Sequence, residues 1–197
     1  MQMTVAVLCG GRSRRMGRDK AALPFGGESM LARAVRTASA VSEDVMVVGL
    51  SRMAEVAPAR HLSDPGDGPL VALTTALRSA REGEVLLLAC DMPLVTPALL
   101  RQLHALAGQA EACVPRVDGI AVPTCAIYRR DVVEVAEALV ARGERALRSL
   151  LDRLSVRWVE ESELRTADPD LASFIDCDTP EDYARALAIA GVSDRWN

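Results

Sequence analysis

Three short, mostly apolar runs at residues 4–8, 44–49 and 84–90 do most to limit what this chain can fold into. Each stops at glycine or polar residues, and helical patterns fill the intervals at 29–40 and 70–81, with another at 97–107. A strand covered on one face alternates apolar and polar residues, whereas one buried on both faces reads as an unbroken apolar run. The pattern therefore predicts an α/β architecture: a doubly wound, mostly parallel, Rossmann-like sheet with right-handed crossovers. Ser29 and Thr96 stand where helix N-caps belong.

The second half is less regular. Short strands are expected at 112–115, 120–122 and 125–128, broken by Pro115, Gly119 and Pro123, as a hairpin-like excursion walling a cleft. Helices follow at 131–141 and 146–154, strands at 156–159 and 173–175, and a closing helix at 180–190 with Thr179 as cap and Pro180 in its first turn. The acidic, turn-rich segment 160–170 reads as a mobile loop. No composition break divides the chain, so residues 1–197 are taken as one domain.

A net charge of −4 argues against nucleic acid as a partner, because a polyanion binder carries a basic surplus. The first apolar stretch is too short for a membrane segment or leader, and five widely spaced cysteines without a Cys-x-x-Cys pair read as reduced thiols. The expectation is a cytoplasmic protein with no membrane association.

Positive charge is concentrated locally. The first strand runs into Gly10 and Gly11, followed by Arg12, Arg14, Arg15, Arg18 and Lys20. Bare glycine amides suit an anion, and in an open parallel sheet ligands sit beyond the carboxyl ends of the strands. Lys20 is the only lysine, against 22 arginines, which points to a task for a compact ammonium that a planar guanidinium cannot perform, a single chance lysine being the alternative. The spacing matches neither Gly-x-x-x-x-Gly-Lys-Ser/Thr nor Gly-x-Gly-x-x-Gly. Asp91 directly follows the third apolar run, where a carboxylate is out of place unless it binds something. Mg²⁺, which takes one or two carboxylates plus water and phosphate oxygens, suits it, although capping the turn at Met92-Pro93 is the alternative.

Five segments, in order, carry a resemblance. Leu8-Cys9-Gly10-Gly11 with Arg15-Met16-Gly17 and Asp19-Lys20, followed by Gly26-Gly27, resembles the signature of the molybdenum cofactor guanylyltransferases. Asp64-Pro65-Gly66-Asp67-Gly68-Pro69-Leu70 is similar to that family's central loop, and Cys90-Asp91-Met92-Pro93 to its Cys-Asp-x-Pro metal motif. Pro123-Thr124, Ala126 and Tyr128 resemble its hairpin, and Asp178-Thr179-Pro180-Glu181-Asp182 its closing motif.

The resemblance implies a nucleotidyltransferase fold and transfer of GMP from GTP to the terminal phosphate of molybdopterin, with release of pyrophosphate. It implies that Lys20, Arg15 and Asp91 serve the chemistry and that Asp91 holds Mg²⁺. Nucleotide contacts are expected from Leu8, Cys9, Gly10, Gly11, Arg12, Lys20, Asp64, Asp91, Asp176 and Asp178. Plainer roles stand beside several of these: a solvated loop surface for Arg12, Arg14 and Arg18, a simple turn for Asp64, and helix capping for Asp176 and Asp178. Alternation on a strand would point the last two the same way. Arg145 and Arg148 are candidates to meet the molybdopterin phosphate, with helix-surface charge as the plainer role.

Related cytidylyltransferases typically carry Ala-Ala-Gly where this chain has Cys9-Gly10-Gly11, and the bare glycines leave room for a purine. Three departures from the family pattern stand out: Cys9 for Ala, Gly49 for Asn with Ser51 as a substitute, and Asp176 with Asp178 for two Asn. The paired carboxylates suit a second metal or another acceptor. The alternatives are therefore CTP as donor, a different phosphorylated acceptor, or an inactive nucleotide-binding protein acting through partners such as molybdoenzyme chaperones.

Overall fold

The computed structural model describes residues 2–10, 19–49, 58–64 and 66–193. Strands β1 (Thr4–Leu8), β4 (Asp44–Val48) and β6 (Glu84–Ala89) form from the three apolar runs, and a hairpin of β2 (Pro24–Phe25) and β3 (Glu28–Ser29) stands apart. The main sheet adds β5 (Arg60–Leu62), β7 (Ala112–Val117), β8 (Ile120–Ala121), β9 (Cys125–Arg129) and β10 (Val156–Val159) in the order β10-β7-β9-β6-β1-β4-β5, with β8 paired to β7. All pairings along this order are parallel except those of β9, which runs antiparallel to both β6 and β7. The fold is the expected mostly parallel α/β sheet, with β9 reversed within it and the short β8 antiparallel to β7 at its margin.

Alternate residues of the central strands supply two cores. Val5, Val7, Val45, Val47, Leu86 and Leu88 face one layer, with Leu31 and Val35 of α1 (Met30–Ser39) and Leu99 and Leu103 of α3 (Pro97–Ala107). Ala6, Met46, Val48, Val85 and Leu87 face the other, against Leu70, Leu73 and Leu77 of α2 (Pro69–Ser79) and Leu139 of α4 (Val133–Ala141). Burial on both faces is why these strands lack polar alternation. Ser29 caps α1 by accepting from the Ala32 amide at 3.1 Å, and Thr96 caps α3 through the Leu99 amide at 3.2 Å. Among the described residues no helix is long and apolar enough to cross a membrane.

Two expectations fail, for local reasons. Segment 160–170 holds a helical turn, α6 (Glu161–Leu164), after the short helix α5 (Leu147–Leu151) and β10. Glu160 and Glu163 form a reciprocal capping box there, and Arg157 and Arg165 pair with Glu163 and Glu161. The acidity that reads as a solvated loop is the helix's own N-terminal chemistry. No strand forms at 173–175. Leu171 adopts a left-handed conformation (φ 54°) and opens a one-turn helix at Ala172–Phe174. The Asp168 carboxylate secures that turn by accepting from the amides of Ala172 (3.2 Å) and Ser173 (2.8 Å).

The amino ends of the strands are pinned by Asp44, which is 9% exposed. It accepts from Thr4 Oγ1 at 2.6 Å and from Arg60 Nη2 at 2.8 Å, tying β1, β4 and β5 together. Burial pushes its pKa up, but the bonds from Thr4 and Arg60 outweigh this and the net shift is downward. Its stabilising contribution is complete above the ordinary value of 3.8 and is lost as pH falls through the lower folded value. Asp44→Asn is expected to cost about 1–3 kcal/mol at neutral pH, leaving Arg60 without its carboxylate. In urea unfolding the gap between variant and wild type should shrink as pH falls through the lowered folded pKa of Asp44; a gap that stays undiminished through acid pH would contradict the assignment.

Candidate active site

The chain turns from β1 to one side to form β4, then crosses to the other side of β1 to form β6. The β1–β6 boundary is thus the switch point, where crossovers diverge and leave a crevice beyond the strand ends. Leu8 and Ala89 are register partners there, and Cys90 N donates to Leu8 O at 3.1 Å, carrying the pairing one step further. A cleft of about 640 Å³ opens at this point, within the range of small-molecule sites. Leu8, Gly10 and Lys20 line it, Asp91 and Asp176 project into it, and Ile120, Pro123 and Phe174 form much of the remaining wall.

Lys20 is fixed by a short local device. Asp19 accepts from Ala21 N at 3.1 Å and so caps the one-turn helix Lys20–Ala22, while the Leu23 amide closes the turn on Lys20 O at 3.1 Å. Ala21, 1% exposed, anchors the turn in the core. Asp91 comes off the end of β6, and its backbone carbonyl accepts from Cys177 N at 2.9 Å. That bond, with the buried Cys177 side chain packed among Phe25, Met30 and Tyr183, brings the flanking Asp176 and Asp178 to the cleft. Tyr183 lies on α7 (Pro180–Ala190), whose Thr179 and Asp182 form a reciprocal cap.

These parts meet at the ammonium. Lys20 Nζ donates to Asp91 Oδ2 at 2.9 Å and, at still closer range, to Asp178 Oδ1. Burial alone would lower the lysine's pKa, but the charges and hydrogen bonds of Asp91 and Asp178 more than reverse this, and Lys20 is held protonated. Asp176 is shifted up, first by burial and then by the charges of Asp178 and Asp91. Among the described cleft-lining residues Lys20 is the one cation, set against a cluster of carboxylates.

The other expected residues divide. Leu8 and Gly10 line the cleft, whereas the Cys9 side chain is 1% exposed and lies in the core, and its amide donates to Val48 O at 2.9 Å. Gly11, Arg12, Arg14, Arg15, Arg18 and Ser51 lie outside the described residues. Asp64 is buried: Oδ2 accepts from Gly66 N at 3.1 Å, and Oδ1 has no hydrogen-bond partner among the described residues. Burial raises its pKa, with the neighbouring Asp67 adding to the effect. Arg145 and Arg148 are not brought to the cleft wall. The Arg145 guanidinium instead donates to the carbonyls of Val140 (3.1 Å) and Glu144 (2.8 Å), and its own carbonyl accepts from Leu70 N at 3.0 Å.

Gly49 explains one departure from the family pattern. A Cβ built there would stand 1.6 Å from the Cys9 carbonyl oxygen, so no side chain fits, asparagine included. The hairpin wall depends on Asp118 (φ 50°) and Gly119 (φ 74°), the positive angles that a tight two-residue turn between β7 and β8 requires. Phe174 and Ile120, the latter 69% exposed, were missing from the sequence-based set. The scarcity of aromatics in this chain was the available signal for Phe174.

Among the described residues no group of three or more His, Cys, Asp or Glu side chains is placed to hold a metal ion unaided. Asp91 and Asp178 nevertheless fit Mg²⁺ chemically, since their hard oxygens already converge on one cationic atom and Mg²⁺ fills its shell from water and phosphate. All five cysteines are buried and none is in a disulfide. A bond with Cys9 together with burial raises Cys90, and burial pushes Cys113 to about 11 and Cys125 and Cys177 to about 12. The native protein should therefore not react with a thiol reagent at neutral pH, whereas the unfolded chain should titrate fully; rapid native labelling would contradict this burial.

Residues 5–158 match the family model described as the MobA-like NTP transferase domain. A molybdenum cofactor guanylyltransferase of Pseudomonas putida is 34% identical over 91% of this chain and 96% of its own length. Another, from Desulfosudis oleivorans, is 30% identical over 94% of this chain and 95% of its own length. Among solved structures, molybdopterin-guanine dinucleotide biosynthesis protein A from Archaeoglobus fulgidus superposes with a TM-score of 0.84 at 27% identity, covering 96% of this chain and 99% of that one. The chain belongs to the MobA-like NTP transferase domain family, and it is a nucleotidyltransferase.

Proposed function

We propose that this enzyme transfers GMP from GTP to the terminal phosphate of molybdopterin, forming the guanine dinucleotide and releasing pyrophosphate. The observation that carries the reading is the meeting of Lys20, Asp91 and Asp178 at the switch-point cleft, which Gly10 also lines after β1. An oxygen of the acceptor's phosphate attacks the α-phosphorus, a P–O bond forms on one side, and the bond to the bridging oxygen of pyrophosphate breaks on the other. No protein nucleophile is required; the enzyme must align two polyanions and offset their repulsion.

Lys20 supplies a positive charge to the α-phosphate and to the oxygen on which negative charge collects. Asp91, with Asp178 beside it, would hold Mg²⁺, which when bound withdraws charge from the phosphate oxygens. Arg15 and Arg12 add charge from the loop, and Gly10 and Gly11 offer amides without side chains. The buried Oδ1 of Asp64, without a hydrogen-bond partner among the described residues, is an acceptor suited to an N–H edge such as that of guanine. Five thiols outside any disulfide accord with a cytoplasmic setting, where they stay reduced. Relatives that match over nine-tenths of the chain support residues 1–197 as a single nucleotidyltransferase domain.

The test is to incubate the protein with Mg²⁺, molybdopterin and each nucleoside triphosphate in turn, measuring pyrophosphate and the dinucleotide product. GTP alone should support turnover. Turnover with CTP and none with GTP would make it a cytidylyltransferase, and turnover only with a different phosphorylated acceptor would displace molybdopterin.

A further inference from the structure

The Lys20 ammonium is committed twice, to Asp91 at 2.9 Å and to Asp178, and only 16% of its side chain is exposed. A lysine needed at a triphosphate is thus tied down by the two carboxylates best placed to bind a divalent cation. The two demands compete: while Lys20 neutralises this pair, a metal must displace it, and once displaced the ammonium is free on a flexible four-carbon stem. Charge accounting points the same way. Asp91 and Asp178, with Asp176 near them and Asp19 and Asp118 also on the cleft wall, outnumber the one ammonium among the described residues of the site, which leaves negative charge for an added cation.

We propose that Lys20 is an exchangeable placeholder: it occupies the cation position between Asp91 and Asp178 in the ligand-free enzyme and yields it to the divalent metal. Its release makes the lysine's contact with phosphate conditional on metal being present. The inference deepens the functional reading above by assigning an order of assembly to the same site. It also explains why the residue is lysine. A guanidinium would hold the carboxylates in a planar fork and would not retract as a point charge.

The test uses the full chain without nucleotide and Mn²⁺ as probe, with binding followed by loss of the free-ion electron paramagnetic resonance signal. Lys20→Met removes the competing charge at similar length and should bind Mn²⁺ about tenfold or more tightly than wild type; Lys20→Arg retains the charge and should not. Adding Asp91→Asn to Lys20→Met should abolish the gain, which places it at this site. Mn²⁺ binding to Lys20→Met that is equal to or weaker than wild type overturns the proposal, as does a gain that survives Asp91→Asn.

A second readout needs no variant. Because Lys20 is the only lysine, protein labelled with [¹³C]lysine gives a single side-chain ε-methylene signal, which should shift saturably as Mg²⁺ is added. A signal unmoved through saturating Mg²⁺ overturns the exchange. None of these measurements depends on GTP or molybdopterin, so failure of the substrate reading and failure of the placeholder are separable.

Discussion

Lys20→Met should lower kcat/KM for nucleotidyl transfer by about 10²–10³-fold while leaving the protein folded. The loss should fall mainly on kcat, because the charge the ammonium faces is greatest as the bond to pyrophosphate breaks. Folding should survive because Lys20 is tied to Asp91 and Asp178 at the cleft and not to the core, whose nearest anchor is the neighbouring Ala21. Unfolding curves would show modest change, since partly exposed ion pairs contribute little. Lys20→Arg should restore only part of the rate, because it returns the charge but not the compact geometry. Steady-state rates of pyrophosphate release, read beside circular dichroism and thermal melts, separate these outcomes. An unchanged rate in a folded Lys20→Met protein removes the lysine from the chemistry.

The second large effect is structural. Gly49→Ala is expected to destabilise the protein by about 3 kcal/mol, at the upper end for overpacking. For a chain of this size that lowers the melting temperature by roughly 6–12 °C. The cause is a backbone collision: the new Cβ would lie 1.6 Å from Cys9 O and 2.4 Å from Cys9 C, and neither atom can swing aside as a flexible side chain would. Cys9 N donates to Val48 O at 2.9 Å and Gly49 N to Leu62 O at 3.1 Å, so relief requires parting β1 from β4 at the mouth of the cleft. Gly10 follows directly, so a variant that still folds should also bind nucleotide more weakly. A melting temperature within about 2 °C of wild type would show that the two strands are not packed this closely.

These predictions rest on features of unequal visibility in the sequence. The central strands were legible because burial on both faces leaves an apolar run, and the helices because Ser29, Thr96 and Thr179 cap them. Strand β5 was not, since Arg60-His61-Leu62 lies at the sheet edge and carries no apolar pattern. The turn at Ala172–Phe174 was misread as strand because its cause, Asp168 gripping two amides, depends on a loop conformation and not on periodicity. At the site, Lys20 and Asp91 stood out as residues unlike their surroundings. The contact between Lys20 and Asp178, 158 positions apart, had no local sign. Alternation on a strand was the wrong route to it; the carboxylate arrives because Cys177 is buried and its amide is bonded to Asp91.

The most direct test is a crystal structure of the enzyme with a non-hydrolysable GTP analogue and Mn²⁺, with the metal located by its anomalous signal. It should show the ion bonded to Asp91 and the Lys20 ammonium moved from the carboxylates onto the same triphosphate. A triphosphate bound out of reach of both side chains, or an ion held without Asp91, would contradict the account.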